Sequence, residues 1–201
     1  MIGVINGIDT GYEELTARVD HIANTYEVAC HGIYNPTHNK YYDLAKCYLS
    51  MNGYGGRQNS TVRAIQEFCI KASGLVGSTG KILLIPHSKG CMDTYFALQG
   101  LPKSIRQQIE VVAIAPALVI PKAFAGNVVN YASKGLDYVV LNHYSGVYRG
   151  IKEGNLTFLP RAPGTPRIGD HSYNSPTFSD PKDSHFTKFT KLNNCRTLWK
   201  D

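Results

Sequence analysis

The segment Ile82-Leu83-Leu84-Ile85-Pro86-His87-Ser88-Lys89-Gly90 carries the strongest structural signal in the sequence. Its first four residues form a continuous apolar run, which is typical of a strand covered on both faces of a parallel sheet. We predict a strand over 81–85, a tight turn at Ser88, and a helix that continues to about Leu98. A buried strand, a turn and a helix in this order indicate an α/β fold.

Short apolar runs alternate with helical patterns along the rest of the chain, as they do in βαβ units. Further strands are predicted at 2–5, 27–34, 110–115, 127–132 and 155–159, and helices at 13–26, 41–48 and 60–72. With 43% hydrophobic residues, the 201-residue chain is large enough to bury a core. We therefore expect one α/β domain over 1–201, with a mainly parallel sheet flanked by helices. Residues from about 182 to 201 form a basic tail or a helix.

Charge and cysteine content exclude several classes of function. The net charge of +6 is spread along the chain, which favours weak attraction to an anionic membrane surface over specific nucleic-acid binding. The five cysteines include no Cys-x-x-Cys pair, so we expect free thiols and no metal site. No Gly-x-Gly-x-x-Gly follows the first predicted strand, and we expect no cofactor. The N-terminus lacks the features of a signal peptide, so a cytoplasmic protein, or one delivered without a classical signal, is expected.

Ser88 is the candidate nucleophile. A serine hydroxyl attacks an acyl carbon only when a base is positioned to take its proton. A sharp turn between a buried strand and a helix exposes the hydroxyl, and the helix N-terminus offers N–H groups to a developing oxyanion. Pro86 departs from this pattern, which prefers a small residue there. The simpler alternative is a serine that only caps the following helix.

The segment 82–90 resembles the nucleophile elbow of lipases and esterases in the α/β-hydrolase superfamily. In that superfamily the acid and then the base follow the serine along the chain. Residues 130–140 resemble the strand and loop that carry the acid, which implies Asp137 in that role, although a loop aspartate also caps turns. The segment 169–173 resembles the histidine loop, which implies His171 as the base, with His185 in reserve.

The resemblance also implies an oxyanion hole made by the backbone N–H groups of Ile8 and Lys89, with Gly7 allowing close approach and Asn6 orienting the loop. Candidates for the rim of the pocket are Met51, Asn52, Tyr54 and a loop over 144–149. The segments 87–90, 112–117 and 170–172 are also similar to an uncharacterised hydrolase-like family of chlamydia-related bacteria.

Together these features predict a serine hydrolase that cleaves an ester or thioester through a Ser-Asp-His triad and an acyl-enzyme. The expected substrate is a small acyl ester or a lipid-like molecule. An acyltransferase would use the same residues. The main alternative is a catalytically inactive interaction protein or effector that keeps the hydrolase fold, because fold does not determine function.

Overall fold

In a computed structural model, which describes residues 1–37, 49, 59–135 and 137–192, the chain forms a parallel six-stranded sheet. The strands are β1 (Ile2–Ile5), β2 (Cys30–Ile33), β3 (Ile82–Pro86), β4 (Ile109–Ile114), β5 (Asn127–Ser133) and β6 (Leu156–Leu159). Their order across the sheet is β2-β1-β3-β4-β5-β6, and every neighbouring pair is parallel. The predicted fold class, an α/β domain with a parallel sheet, is confirmed.

Seven α-helices are present in the described residues. They are α1 (Tyr12–Tyr26), α2 (Ser60–Val76), α3 (Lys89–Gln99), α4 (Lys103–Gln108), α5 (Tyr138–Leu141), α6 (Tyr144–Glu153) and α7 (Ser179–Leu192). Helices α2 and α3 pack on one face of the sheet, whereas α1 and α7 pack on the other. None of these helices is long and apolar enough to cross a membrane.

Strand β3 lies in the centre of the sheet, and all five of its residues are buried. Ile82 and Leu84 pack into the apolar cluster beneath α2 and α3, while Leu83 and Ile85 pack against the cluster formed with α1 and α7. Because successive side chains of a strand point to opposite faces, a strand covered on both sides needs an unbroken apolar run. The burial of β3 on both faces explains why residues 82–85 are all apolar.

The strand order reverses between β1 and β3. From β1 the chain crosses to β2 on one side, and it then returns to β3 on the other side. In open α/β sheets the loops at such a switch point separate, and the crevice at the carboxyl ends of the two strands is where ligands bind. The loop that begins at Asn6 and the turn at Ser88 lie at this position, since they follow β1 and β3.

Some predicted boundaries are corrected. Strand β2 is shorter than the predicted 27–34, because Glu27 adopts a left-handed conformation (φ 49°) that ends α1. Helix α2 is capped by Asn59, whose side chain accepts a hydrogen bond from the Val62 N–H at 2.8 Å; Ser60 is the first helical residue. The predicted helix at 41–48 lies outside the described residues.

Two segments are more ordered than the sequence indicated. The prediction of a loop at 144–149 is wrong, because these residues belong to α6, where Tyr144 and Tyr148 are exposed. A Cβ on Gly150 would come within 2.9 Å of Leu156 and Val119, so this glycine permits close packing of α6. In the basic C-terminal region, 179–192 form α7, which buries Phe186 and Phe189.

Candidate active site

Ser88 occupies a strained turn that is fixed on both sides. Its φ of 53° lies in the left-handed region, which is uncommon for a residue with a side chain. The Ser88 N–H donates to Ile114 O (3.1 Å), and the preceding His87 N–H donates to Ile5 O (3.0 Å). These bonds hold the turn between β4 and β1. Strain that is retained in this way is typical of functional sites.

Pro86 is accommodated as the last residue of β3. The His87 N–H donates to Ile5 in β1, and the Leu83 N–H donates to Met1 just before that strand, so alternation along β3 directs position 86 toward β4. Proline therefore loses one ladder hydrogen bond to β4 and leaves the pairing with β1 intact. Its carbonyl accepts the Cys91 S–H at 3.2 Å. The turn reaches a positive φ at Ser88 although Pro86 replaces a small residue.

Three residues selected from the sequence lie in one hydrogen-bonded row. The His171 Nε2 atom is 2.7 Å from Ser88 Oγ, and its Nδ1 atom is 2.7 Å from Asp137 Oδ2. A carboxylate only accepts, so His171 Nδ1–H donates to Asp137, and this leaves Nε2 free to accept from the Ser88 hydroxyl. In this arrangement His171 can take the hydroxyl proton of Ser88, and Asp137 can hold the ring in the tautomer that this transfer needs.

Asp137 has a second contact besides His171. The side chain is buried, and Oδ1 accepts hydrogen bonds from the N–H groups of Val139 (3.1 Å) and Val140 (3.5 Å) at the start of α5. Both interpretations of this residue therefore hold in geometric terms. One oxygen caps a helical turn, and the other faces the histidine.

His87 contacts the backbone of the loop that carries His171. Its Nε2–H donates to the backbone oxygen of His171 at 2.7 Å, and the two rings are 5.3 Å apart. Burial, followed by the neighbouring His171, lowers the pKa of His87 to about 3. His87 is thus neutral at pH 7, so it adds no positive charge beside His171.

The alternative acids and bases have other partners. Asp170 is buried and accepts hydrogen bonds from Ser133 Oγ (2.9 Å) and Thr177 Oγ1 (2.6 Å). Burial alone would raise its pKa, but hydrogen bonds from Ser175, Thr177 and Ser133 outweigh burial, and the pKa is lowered. The reserve base His185 lies on α7, with Nε2 2.9 Å from Tyr131 Oη. The hydrogen bonds of Asp170 to Ser133 and Thr177 thus anchor the loop that carries His171.

Ile8 and Lys89, the predicted oxyanion donors, lie on the two segments that meet at the switch point. A Cβ on Gly7 would come within 2.7 Å of Ser88 Cβ, so the loop after β1 packs directly against the serine. Lys89 is the first residue of α3, where backbone N–H groups have no partner within the helix. Lys89 directly follows Ser88 in the chain, and Ile8 directly follows the glycine that packs against Ser88.

Sequence reasoning missed two buried residues next to this site. Asn35 and Asp93 hydrogen-bond to each other, and both contact the Lys89 ammonium group. Asn35 precedes Pro36, and this pair by itself indicates only a turn. The one available signal was the spacing of Lys89 and Asp93, since charges four residues apart on a helix are neighbours.

Several cavities in the described part of the chain lie away from Ser88. One of about 430 Å³ lies at the amino end of the sheet and is lined in part by Met1, Cys30 and Phe68. Another, of about 440 Å³, lies between α1 and α7, and a third, of about 530 Å³, lies along α7. The rim candidates Met51, Asn52 and Tyr54 fall outside the described residues. Within the described part of the chain, no group of three or more His, Cys, Asp or Glu side chains could hold a metal ion.

Comparison with known proteins yields similarities of structure only. No family model matches the chain, and no curated protein matches it. One similar crystal structure is of a Xanthomonas campestris pv. campestris protein assigned provisionally as a hydrolase of the alpha/beta superfamily. It has 13% identity and a TM-score of 0.48, and the match covers 95% of this chain and 98% of that one.

Another similar structure is a cutinase-like protein from Cryptococcus sp. Its identity is 12% and its TM-score is 0.48, with 96% of this chain and 94% of that chain covered. Neither likeness carries an argument about activity. The expected resemblance to a family of chlamydia-related bacteria finds no support in these comparisons.

Proposed function

We propose that the protein is a serine hydrolase that cleaves an ester or thioester bond through an acyl-enzyme on Ser88. The observation that carries this proposal is the row of two 2.7 Å hydrogen bonds from Asp137 to His171 and from His171 to Ser88. The strained backbone of Ser88 supports it, because a serine that only caps a helix needs no positive φ.

In the proposed reaction, Ser88 Oγ attacks the acyl carbon while His171 Nε2 takes its proton. Asp137 keeps His171 in the required tautomer and stabilises the imidazolium that forms. The tetrahedral intermediate collapses, and His171 Nε2–H gives the proton to the leaving alcohol or thiol. Water, activated in turn by His171, then hydrolyses the acyl-enzyme and restores Ser88.

The negative oxygen of the tetrahedral intermediate needs hydrogen-bond donors that are in place before the reaction. We assign this role to the backbone N–H groups of Ile8 and Lys89. The contact of Gly7 with Ser88 supports the first donor, and the position of Lys89 at the start of α3 supports the second.

The proposed substrate is a small acyl ester or a lipid-like molecule. Helices α5 and α6, which follow Asp137, expose Tyr138, Tyr144 and Tyr148. Tyrosine has an apolar ring and a polar tip, which suits amphipathic substrates and interfaces. The net charge of +6 also leads us to propose weak contact between the protein and an anionic membrane surface. Sedimentation with anionic vesicles, compared with neutral vesicles, tests this contact.

The proposal is tested by hydrolysis of short-chain nitrophenyl esters and thioesters. We expect turnover by the wild type and a loss of about 10⁴-fold or more in Ser88→Ala, since removing the nucleophile disables the whole triad. Ser104→Ala, at an exposed serine on α4, is the matched control and should keep wild-type turnover. The alternative of an inactive interaction protein predicts folded wild type without turnover.

A further inference from the structure

A network of polar side chains is buried behind the turn that carries Ser88. Asn6 and Asp93 have no exposed surface, Asn35 is 2% exposed, and the side chain of Lys89 is 14% exposed. These residues come from the loop after β1, the end of β2 and helix α3. Burying a polar group costs free energy unless the group is hydrogen-bonded. Because these side chains hydrogen-bond to one another, the network holds the three segments in one arrangement.

Asn6 sets the direction of one predicted oxyanion donor. Its Nδ2–H donates to the carbonyl oxygen of Gly7 at 3.0 Å. That carbonyl and the N–H of Ile8 belong to the same planar trans peptide, in which they point in opposite directions. A hydrogen bond that holds the Gly7 oxygen therefore also orients the Ile8 N–H.

Asn35 locks Asn6 in place with two reciprocal hydrogen bonds. The Asn35 N–H donates to Asn6 Oδ1 (2.7 Å), and Asn6 Nδ2–H donates to Asn35 O (2.9 Å). The side chain of Asn35 then reaches helix α3. Its Oδ1 accepts from Lys89 Nζ at 2.7 Å, and its Nδ2–H donates to Asp93 Oδ2 at 3.0 Å.

Asp93 completes the connection to the second donor. Its carboxylate accepts from Lys89 Nζ at 3.0 Å and from Asn59 Nδ2 at 2.8 Å. Lys89 supplies the other predicted oxyanion N–H from its backbone. The Lys89 side chain is thus connected through Asn35 to Asn6, and Asn6 orients the Ile8 N–H.

We propose that Asn6, Asn35 and Asp93, with the Lys89 side chain, are positioning residues that fix the two halves of the oxyanion hole relative to each other. This inference rests on the proposed function. The base is held by a different set of contacts, from His87 and Asp170 to the histidine loop. Disturbing the network should therefore weaken oxyanion binding and leave the pair of Ser88 and His171 intact.

The test compares an ester with the matching thiono ester, in which sulfur replaces the carbonyl oxygen. Sulfur is a weak acceptor, so the thiono ester gains less from the oxyanion donors. In Asn6→Asp, which removes the donor to Gly7, we expect the ratio of ester to thiono-ester kcat to fall about 10- to 100-fold, part of the effect of a whole donor. The KM values should change little.

Asn130→Asp is the matched control. Asn130 is also fully buried, accepts from the Ile120 N–H and donates to the Ile120 and Asn155 carbonyls, but it lies on β5 away from the oxyanion loop. A general loss of stability should be similar in the two variants. The ester to thiono-ester ratio should fall only in Asn6→Asp.

Lys89→Met provides a second variant if Asn6→Asp does not fold, because it keeps the backbone N–H and removes the ammonium group. We expect a smaller fall in the same ratio, about 3- to 10-fold, and recovery in Lys89→Arg. An unchanged ratio in the folded network variants overturns this inference alone. If the wild type hydrolyses neither substrate, the proposed function fails, and this inference fails with it.

Discussion

The backbone of Ser88 needs a close approach between α3 and β1. A Cβ on Gly90 would lie 2.8 Å from Asn6 O and 2.9 Å from Ile5 Cγ2. Both atoms belong to packed parts of the fold, so neither can move away at low cost. A glycine two residues after the serine is thus a steric requirement of the turn.

Gly90→Ala should lower the free energy of unfolding by about 1–3 kcal/mol, as expected for overpacking. Gly74→Ala is the control, because a Cβ on Gly74 in α2 meets nothing within 4 Å. This second change should raise stability by about 0.5–1 kcal/mol through helix propensity. Urea unfolding of both variants decides the point, and equal effects would contradict the packing argument.

The two contacts of Asp137 can be separated by substitution. Asparagine keeps an oxygen to cap α5 but presents an NH₂ group to His171, which favours the wrong tautomer. We expect Asp137→Asn to lower kcat by about 10³- to 10⁴-fold with little loss of stability. In Asp137→Ala, urea unfolding should show an additional loss of about 1 kcal/mol from the missing cap. Nearly wild-type turnover in Asp137→Asn would exclude its role as the orienting acid.

The residues of the site differ in how well sequence could identify them. Ser88, Asp137 and His171 could be selected because each follows a recognisable strand, in the chain order of serine, acid and base that α/β hydrolases use. Asn35 could not be selected, since an asparagine before a proline is usually only part of a turn. Its buried contacts with Asn6 and Asp93 depend on three segments that are distant along the chain.

At the level of elements, the histidine loop has little regular structure and depends on side-chain anchors. Asp170 accepts from Ser133 at the end of β5 and from Thr177 just before α7. The Thr177 hydroxyl also accepts from the Ala162 N–H at 3.0 Å. One buried hydroxyl therefore joins both ends of the loop that carries His171.

Thr177→Val should loosen this loop, because it leaves a buried carboxylate and a backbone N–H without one partner each. We expect amide hydrogen exchange over 160–175 to accelerate about 10-fold, in line with a local loss of about 1.4 kcal/mol. Thr177→Ser keeps the hydroxyl and serves as the control. Equal exchange in both variants would show that the hydroxyl does not hold the loop.

Elements were predictable where one physical signal dominated. Strand β3 was recognised because burial on both faces demands an unbroken apolar run. Helix α6 was missed because Gly146 and Gly150 weaken the local preference for a helix. Both glycines face the protein interior, where tertiary packing outweighs that preference.

Across the fold, acid stability depends on two histidines that are held in the neutral form: His87 is buried, and His143 is half-buried. Burial, followed by repulsion from Arg149, lowers the pKa of His143 to about 4, and its Nδ1 accepts from the Val119 N–H at 3.0 Å. His87 has a pKa of about 3. Both pKa values lie below the usual 6.5, so at pH values between the folded pKa and 6.5 the unfolded chain binds more protons than the folded protein does.

The free energy of unfolding should therefore fall as the pH decreases from about 6.5 to 4. Each such histidine contributes up to about 1.4 kcal/mol per pH unit. His143→Asn keeps an acceptor for the Val119 N–H and removes the titrating group, so its urea-unfolding free energy should depend less steeply on pH. The same slope in wild type and variant would contradict this assignment.

The sheet topology brings the parts of the candidate site together. The reversal of strand order between β1 and β3 places the loop that contains Ile8 beside the turn at Ser88, and β5 leads to Asp137. The loop between β6 and α7 then carries His171. The β1–β3 reversal could not be derived from a list of predicted strands, because strand order depends on long-range pairing.

Reaction with a fluorophosphonate, followed by intact-mass measurement and peptide mapping, tests the activation of Ser88 most directly. The proposed activation of Ser88 predicts one adduct per wild-type chain, located on Ser88, no adduct in Ser88→Ala, and labelling at least about 100-fold slower in His171→Ala. Folded wild-type protein that stays unmodified, or that carries the adduct at another residue, would contradict it.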